Sequence, residues 1–188
     1  MSARAQRVDA RANRERILEV ADEVFGRGGG SASTEEVASL AGVGIATVFR
    51  HFPTKALLLE AVLVRRFAGL RAQAEALLGD ADPGGAFFGF FRHLVADAAA
   101  KIAIGEALLD AGGDQDEAAR ASAELRRAVG ALLGRAQESG AVRTDVELPE
   151  VYALLVGTSR VFAGADLGED VQARALTVLF DGLAPRPV

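Results

Sequence analysis

The 188-residue chain is expected to be all-α and built in two parts. Three observations say so. Apolar residues recur at helical spacing along nearly the whole length, and nowhere do they alternate every second residue as in a half-buried strand. Half of the residues are hydrophobic, enough at this length to bury a proper core as a soluble globular protein. Charge divides unevenly: the first 55 residues carry a net +1 and the remainder −6, within a total of −5.

Each element has its own local reason. Ile17, Leu18, Ala21, Val24 and Phe25 make one apolar stripe, and the stretch GRGGGSAS ends that helix with residues that tolerate turns. Ser33-Thr34-Glu35-Glu36 fits a capping box, in which hydroxyl and carboxylate satisfy free amides reciprocally. A two-turn helix should follow, with Val37, Leu40 and Ala41 on its inner side. Gly42 supplies the left-handed residue that ends it. The next helix is expected to run to Phe52, with Ile45, Val48, Phe49 and Phe52 as its apolar back and Thr47, Arg50 and His51 as a polar front. Pro53 stops it, and Thr54 caps a fourth helix through KALLLEAVLVRRFAGLRAQAEALL. Beyond GDADPGG, further helices are expected at about 86–100, 102–111, 117–139, 148–163 and 169–183, separated by DAGGDQD, GAVRTDVELP and GADLG. No internal repeat is visible. Lysine occurs only at 55 and 101, a bias towards arginine that fits a GC-rich bacterial genome.

Several function classes fall away. Without cysteine there can be no disulfide, thiolate zinc site or cysteine nucleophile, and two histidines offer little to a metal. GVGIATVF nearly matches a dinucleotide fingerprint, but Thr47 stands at the third glycine position and a helix precedes it where a strand is required. GRGGGS lacks the Lys-Ser/Thr ending of a phosphate loop, and neither His51 nor His93 sits in a triad or metalloprotease spacing. No enzyme, metal or cofactor is therefore expected. No apolar run reaches the length of a membrane span, and the N-terminus lacks a signal peptide's apolar centre. A cytoplasmic location is expected.

A two-turn helix, a glycine turn and a second short helix, propped by a longer preceding one, is the helix-turn-helix arrangement. Arg4, Arg7, Arg11, Arg14 and Arg16 form a basic cluster just before it. Alone, Arg50 and His51 would read as a solvated helix face. Within the motif, Thr47, Arg50 and His51 are free to meet DNA, and Lys55 is placed to meet phosphate beside a helix N-terminus.

NRERILEVADEVFGRGG and STEEVASLAGVGIATVFRHFPTKALLLEAV resemble the tetracycline-repressor (TetR) family of bacterial transcriptional regulators, closely over residues 11–62 and elsewhere only in length and helix count. The resemblance implies a homodimer that reads double-stranded operator DNA of near-palindromic sequence. Residues 1–55 would form the DNA-binding head, and residues 56–188 a helical body that dimerises and holds a small-molecule effector. Carried over by position, Thr34 would touch phosphate, Ile45, Ala46 and Thr47 would approach base edges, and Arg50, His51 and Lys55 would hold the flanking backbone. The family usually has Tyr where Phe49 stands, which removes one phosphate hydrogen bond, and Ala56 replaces a common Glu. Periodicity puts Ile45 in the core stripe, whereas the resemblance puts it against DNA, where thymine methyls would be its chemistry.

In the body, Phe87, Phe88, Phe90 and Phe91 pack the core or line a mainly apolar pocket; Phe87, Phe91, His93 and Phe162 are the candidate effector contacts. His93 read alone is a core or surface histidine. The last two helices carry too many apolar residues for lone surface helices. Leu154, Leu155, Val161 and Phe162 are expected to face Leu176, Leu179, Phe180 and Leu183 of a second copy in a four-helix interface. The rival reading is a helical scaffold or small-molecule-binding protein whose DNA head has lost its use.

Overall fold

The computed structural model describes residues 3–185, with side chains from Val8 onward, so Arg4 and Arg7 of the basic cluster lie outside the described side chains. Among the described residues there are nine α-helices and no strands: α1 Ala3–Gly28, α2 Thr34–Leu40, α3 Ile45–His51, α4 Lys55–Leu77, α5 Pro83–Ala96, α6 Ala98–Asp110, α7 Asp116–Glu138, α8 Leu148–Gly164 and α9 Glu169–Leu183. Two compact units result. One holds the residues up to Arg66 together with Ala100–Arg120, and the other holds Phe67–Ala99 with the residues from Ala121 onward. The expected single cut after residue 55 falls inside the first unit, because the first part of α4, up to Arg66, groups with the head, as does most of α6.

In the first unit the expected stripe of α1 is fully in place: Ile17, Leu18, Ala21, Val24 and Phe25 are all buried. Ser33 caps α2, its hydroxyl accepting from the Glu36 amide at 3.1 Å. At the other end Gly42 takes a φ of +67°. The Val43 amide then reaches the Ala38 carbonyl and the Gly42 amide that of Ser39, a paired closure that turns the chain towards α3. Val37, Ala38 and Ala41 point inward, but Leu40 is 60% exposed. It lies past the last inward turn of a helix only seven residues long. Val48 and Phe52, one turn apart, anchor the inner side of α3. Thr54 caps α4 through the Leu57 amide at 3.1 Å.

Ionic contacts tie α4 to α1. Arg65 reaches Glu15 at 2.7 Å and Glu19 at 3.3 Å, and Arg66 reaches Asp22 at 2.9 Å. α6 closes the unit with Ile104 and Leu108 fully buried. Gly26 permits that approach, since a Cβ there would stand 3.2 Å from the Cβ of Ala100. Lys55 is a tether. Its Nζ donates to the carbonyls of Ala32 at 2.7 Å and Gly30 at 3.0 Å and lies 5.5 Å from the centre of the Phe25 ring.

The second unit is a helical core made from the later part of α4 with α5, α7, α8 and α9. Phe87, Phe90, Phe91, Leu94, Leu125, Val129, Leu132, Leu133, Val151 and Leu155 are buried in it. Phe180 of α9 reaches across to α5, with ring centres 4.7 Å from Phe88 and 5.4 Å, edge-on, from Phe91. In the α7–α8 connection the Gln137 amide donates to the carbonyls of Arg143 and Val146 at 3.0 and 2.7 Å.

Replacing Lys55 by Met keeps the aliphatic stem but removes both hydrogen bonds to the 30–32 turn. It should lower stability by about 1–2 kcal/mol in urea unfolding, with helix content retained under native conditions.

Candidate nucleic-acid interface

Rotation of α3 is set by Val48 and Phe52, which are 0% and 4% exposed. With those two inside, Ile45, Ala46, Phe49 and Arg50 face outward, and Thr47 and His51 are half-buried at the edges. The expected apolar back of four residues is thus two residues wide. Ile45 and Phe49 leave it and join the outer face, at 36% and 42% exposed. The conflict over Ile45 resolves outward, and Phe49 follows because it lies one turn further along the same face.

Two other expected DNA contacts turn inward. Thr34 is 6% exposed, because it occupies the inner side of the first turn of α2, where Ser33 already serves as the cap. Lys55 spends its ammonium on the 30–32 carbonyls rather than projecting it into solvent. Position in the motif cannot reveal this, since both acceptors lie more than twenty residues back along the chain.

Arg14, an exposed residue of α1, places its guanidinium 5.0 Å from the centre of the Phe52 ring, so part of the N-terminal basic cluster stands beside the end of α3. Arg11, Arg16 and Arg50 are exposed and without a charged partner among the described residues. A face with apolar residues at its centre and arginines at its edge is suited to base edges in the middle and phosphates outside.

His51 closes α3. Its Nε2 is shut off from solvent and has no hydrogen-bond partner among the described residues. Burial, followed by the charges of Arg50 and Arg14, holds the imidazole below its ordinary value of 6.5.

In the body, Phe87 and Phe91 are 2% exposed and part of the core, and Phe162 packs against it half-buried. His93 is exposed, on the solvent side of α5, whose buried face carries Phe87, Phe90, Phe91 and Leu94. The faces expected at the end of the chain also need correction. Leu155, Leu176 and Leu183 are buried in their own core and are not free to meet a second copy, while Leu179 and Phe180 pack on that core half-buried. Leu154 and Val161 do remain exposed, at 41% and 54%.

The lowered pKa of His51 makes a signed prediction. A folded value below the unfolded one stabilises the fold fully above pH 6.5 and loses that contribution as pH falls through the folded pKa. Urea unfolding of the protein should therefore weaken on acidification below pH 6.5, and His51→Gln should reduce that slope. An unchanged slope would show that the imidazole protonates freely in the fold.

Comparison with known proteins agrees with this geometry. Residues 17–62 match the family model described as bacterial regulatory proteins, tetR family. Residues 82–185, over half of the chain, match the C-terminal domain of SbtR-like transcriptional regulators. A TetR transcription regulatory protein from Mycobacterium vanbaalenii is 38% identical, with 96% of this chain and 99% of that one covered and a TM-score of 0.79. A TetR transcriptional regulator from Streptomyces coelicolor is 30% identical over 93% and 99% of the two chains, with a TM-score of 0.76. NemR from E. coli, 18% identical over 94% and 100%, shares the fold at a TM-score of 0.70. No curated protein matches significantly. The chain belongs to the TetR family: it is a transcriptional regulator with an N-terminal helix-turn-helix DNA-binding domain and a helical C-terminal domain of the SbtR-like kind.

Proposed function

We propose that the protein is a cytoplasmic homodimeric repressor that binds a near-palindromic operator and is released by a small, mainly apolar effector. The observation that carries this reading is the outer face of α3, where Ile45, Ala46, Phe49 and Arg50 stand free on a helix held by Val48 and Phe52. A helix of seven residues does not need so much exposed apolar surface for its own stability. DNA gives it a use.

Two-fold symmetry would come from α8 and α9. Leu154, Gly157, Val161 and Gly164 are exposed at spacings of three and four residues along α8, and Val171, Ala175, Val178 and Gly182 repeat the pattern on α9. The inner faces of the same helices are already used in the core, and these two strips are open to a second copy. Small residues at every other position allow close approach, as helix bundles require. The effector would lie among the body helices near Phe87, Phe91 and Phe162, where a ligand that favours one packing of the body could change the spacing of the two heads. In support, no described helix is long and apolar enough to cross a membrane, and the relatives are regulators.

A genome-wide map of bound fragments followed by gel shifts tests the DNA reading; a protein that selects no duplex would be a binding protein with an idle head. On a selected operator, Arg50→Ala should lower the salt slope of binding by about one unit, whereas Lys55→Met should leave the slope of the folded protein unchanged. Val178→Glu should lower the mass seen by light scattering from that of a dimer to the 19.6 kDa of a single chain without loss of helix content, and with it weaken operator binding. Leu176→Glu should instead melt the body, since it puts a carboxylate into the core. A bound effector must lower operator affinity by the same factor by which the operator lowers effector affinity.

A further inference from the structure

We propose that the recognition helix reads thymines by their 5-methyl groups rather than purines by hydrogen bonds. This rests on the DNA-reading role above and specifies its chemistry. The first turn of a recognition helix is the part that reaches base edges, and here that turn is Ile45, Ala46 and Thr47. Among those three side chains the only polar group is one hydroxyl, on a half-buried residue whose amide is bound to the Gly44 carbonyl at 2.8 Å. The paired donors and acceptors that fit guanine or adenine belong to Arg, Lys, Asn and Gln, and within α3 none occurs before Arg50.

What the turn does present is apolar. Ile45 is 36% and Phe49 42% exposed, one turn apart on the same face, with Ala46 beside them. Isolated exposed apolar residues are ordinary, but here two large ones lie side by side on the helix that enters the groove. In the major groove the one apolar group a standard base pair displays is the thymine methyl. A branched aliphatic chain and an aromatic ring, set about a helical turn apart, can each bury one or more such methyls. Arg50, at the far end of the face, is left for the phosphate backbone or for a single guanine.

The test starts from the duplex that the full-length protein selects out of a random pool. Each thymine of a half-site is then replaced in turn by uracil, which deletes the methyl and leaves every hydrogen-bonding group in place. One or two thymines per half-site should be sensitive, losing about fourfold in affinity each, the effect of one buried methyl. At such a position Ile45→Ala or Phe49→Ala should abolish the difference between thymine and uracil while changing the affinity for the uracil duplex by no more than about twofold. Both residues are exposed, so the variants should keep the unfolding midpoint of the parent. Tolerance of uracil at every position overturns the proposal, as does a sensitivity that persists undiminished in both variants. Failure to select any duplex is a different result: it removes the DNA-reading role itself and this proposal with it.

Discussion

The burial of Val48 and Phe52 is the constraint on which the DNA-facing side depends. The two residues are separated by one turn, and α3 has only seven residues, so once both are inside there is no freedom left in its rotation. Which side chains of α3 can meet DNA follows from that rotation. α3 packs against α1 and α2, in which Ile17, Phe25, Val37 and Ala38 are buried almost completely. Two polar devices secure this packing from outside: the Lys55 ammonium holds the 30–32 turn, and the guanidinium of Arg14 covers the ring of Phe52.

Local signals in the sequence were strong enough to place the elements. The Ser33 cap, the left-handed Gly42, the stop at Pro53 and the Thr54 cap are contacts within a few residues, and each is found where the residue types require it. Sidedness was only partly legible. A period of 3.6 admits Ile45, Val48, Phe49 and Phe52 as one stripe, yet a short helix seated in a narrow cleft can bury only the middle of it. Leu40 fails for the same reason at the end of α2. What could not be seen at all were contacts between distant positions, such as Arg65 with Glu15, Arg66 with Asp22, and Lys55 with Gly30 and Ala32. Opposite charges are common throughout the chain, and nothing in their spacing says which will meet.

The last two helices show the same limit in a different form. Both carry a surplus of apolar residues, but it belongs to two faces. Leu155, Leu176 and Leu183 complete the chain's own core, whereas Leu154, Val161, Val171 and Val178 stand outside it. Apolar content alone cannot divide a two-sided helix into core and exposed surface. The small residues divide it better: Gly157, Gly164, Ala175 and Gly182 all fall on the outer strips, where they add nothing to a core and favour close approach by another helix.

Charge completes the argument for how such a protein finds DNA despite an overall charge of −5. Many of the acidic residues near the head are neutralised locally: Glu15, Glu19 and Asp22 face Arg65 and Arg66 along the α1–α4 contact. Those pairs cancel at short range. Arg11, Arg16 and Arg50 have no such partners among the described residues and stand exposed, so a phosphate that approaches the head meets positive charge. Attraction beyond a Debye length of about 8 Å is screened at physiological salt, so the distribution of charge near the groove matters more than the total. On the proposed reading, phosphate contact positions the helix without discriminating between sequences, and discrimination falls to the uncharged centre of the same face.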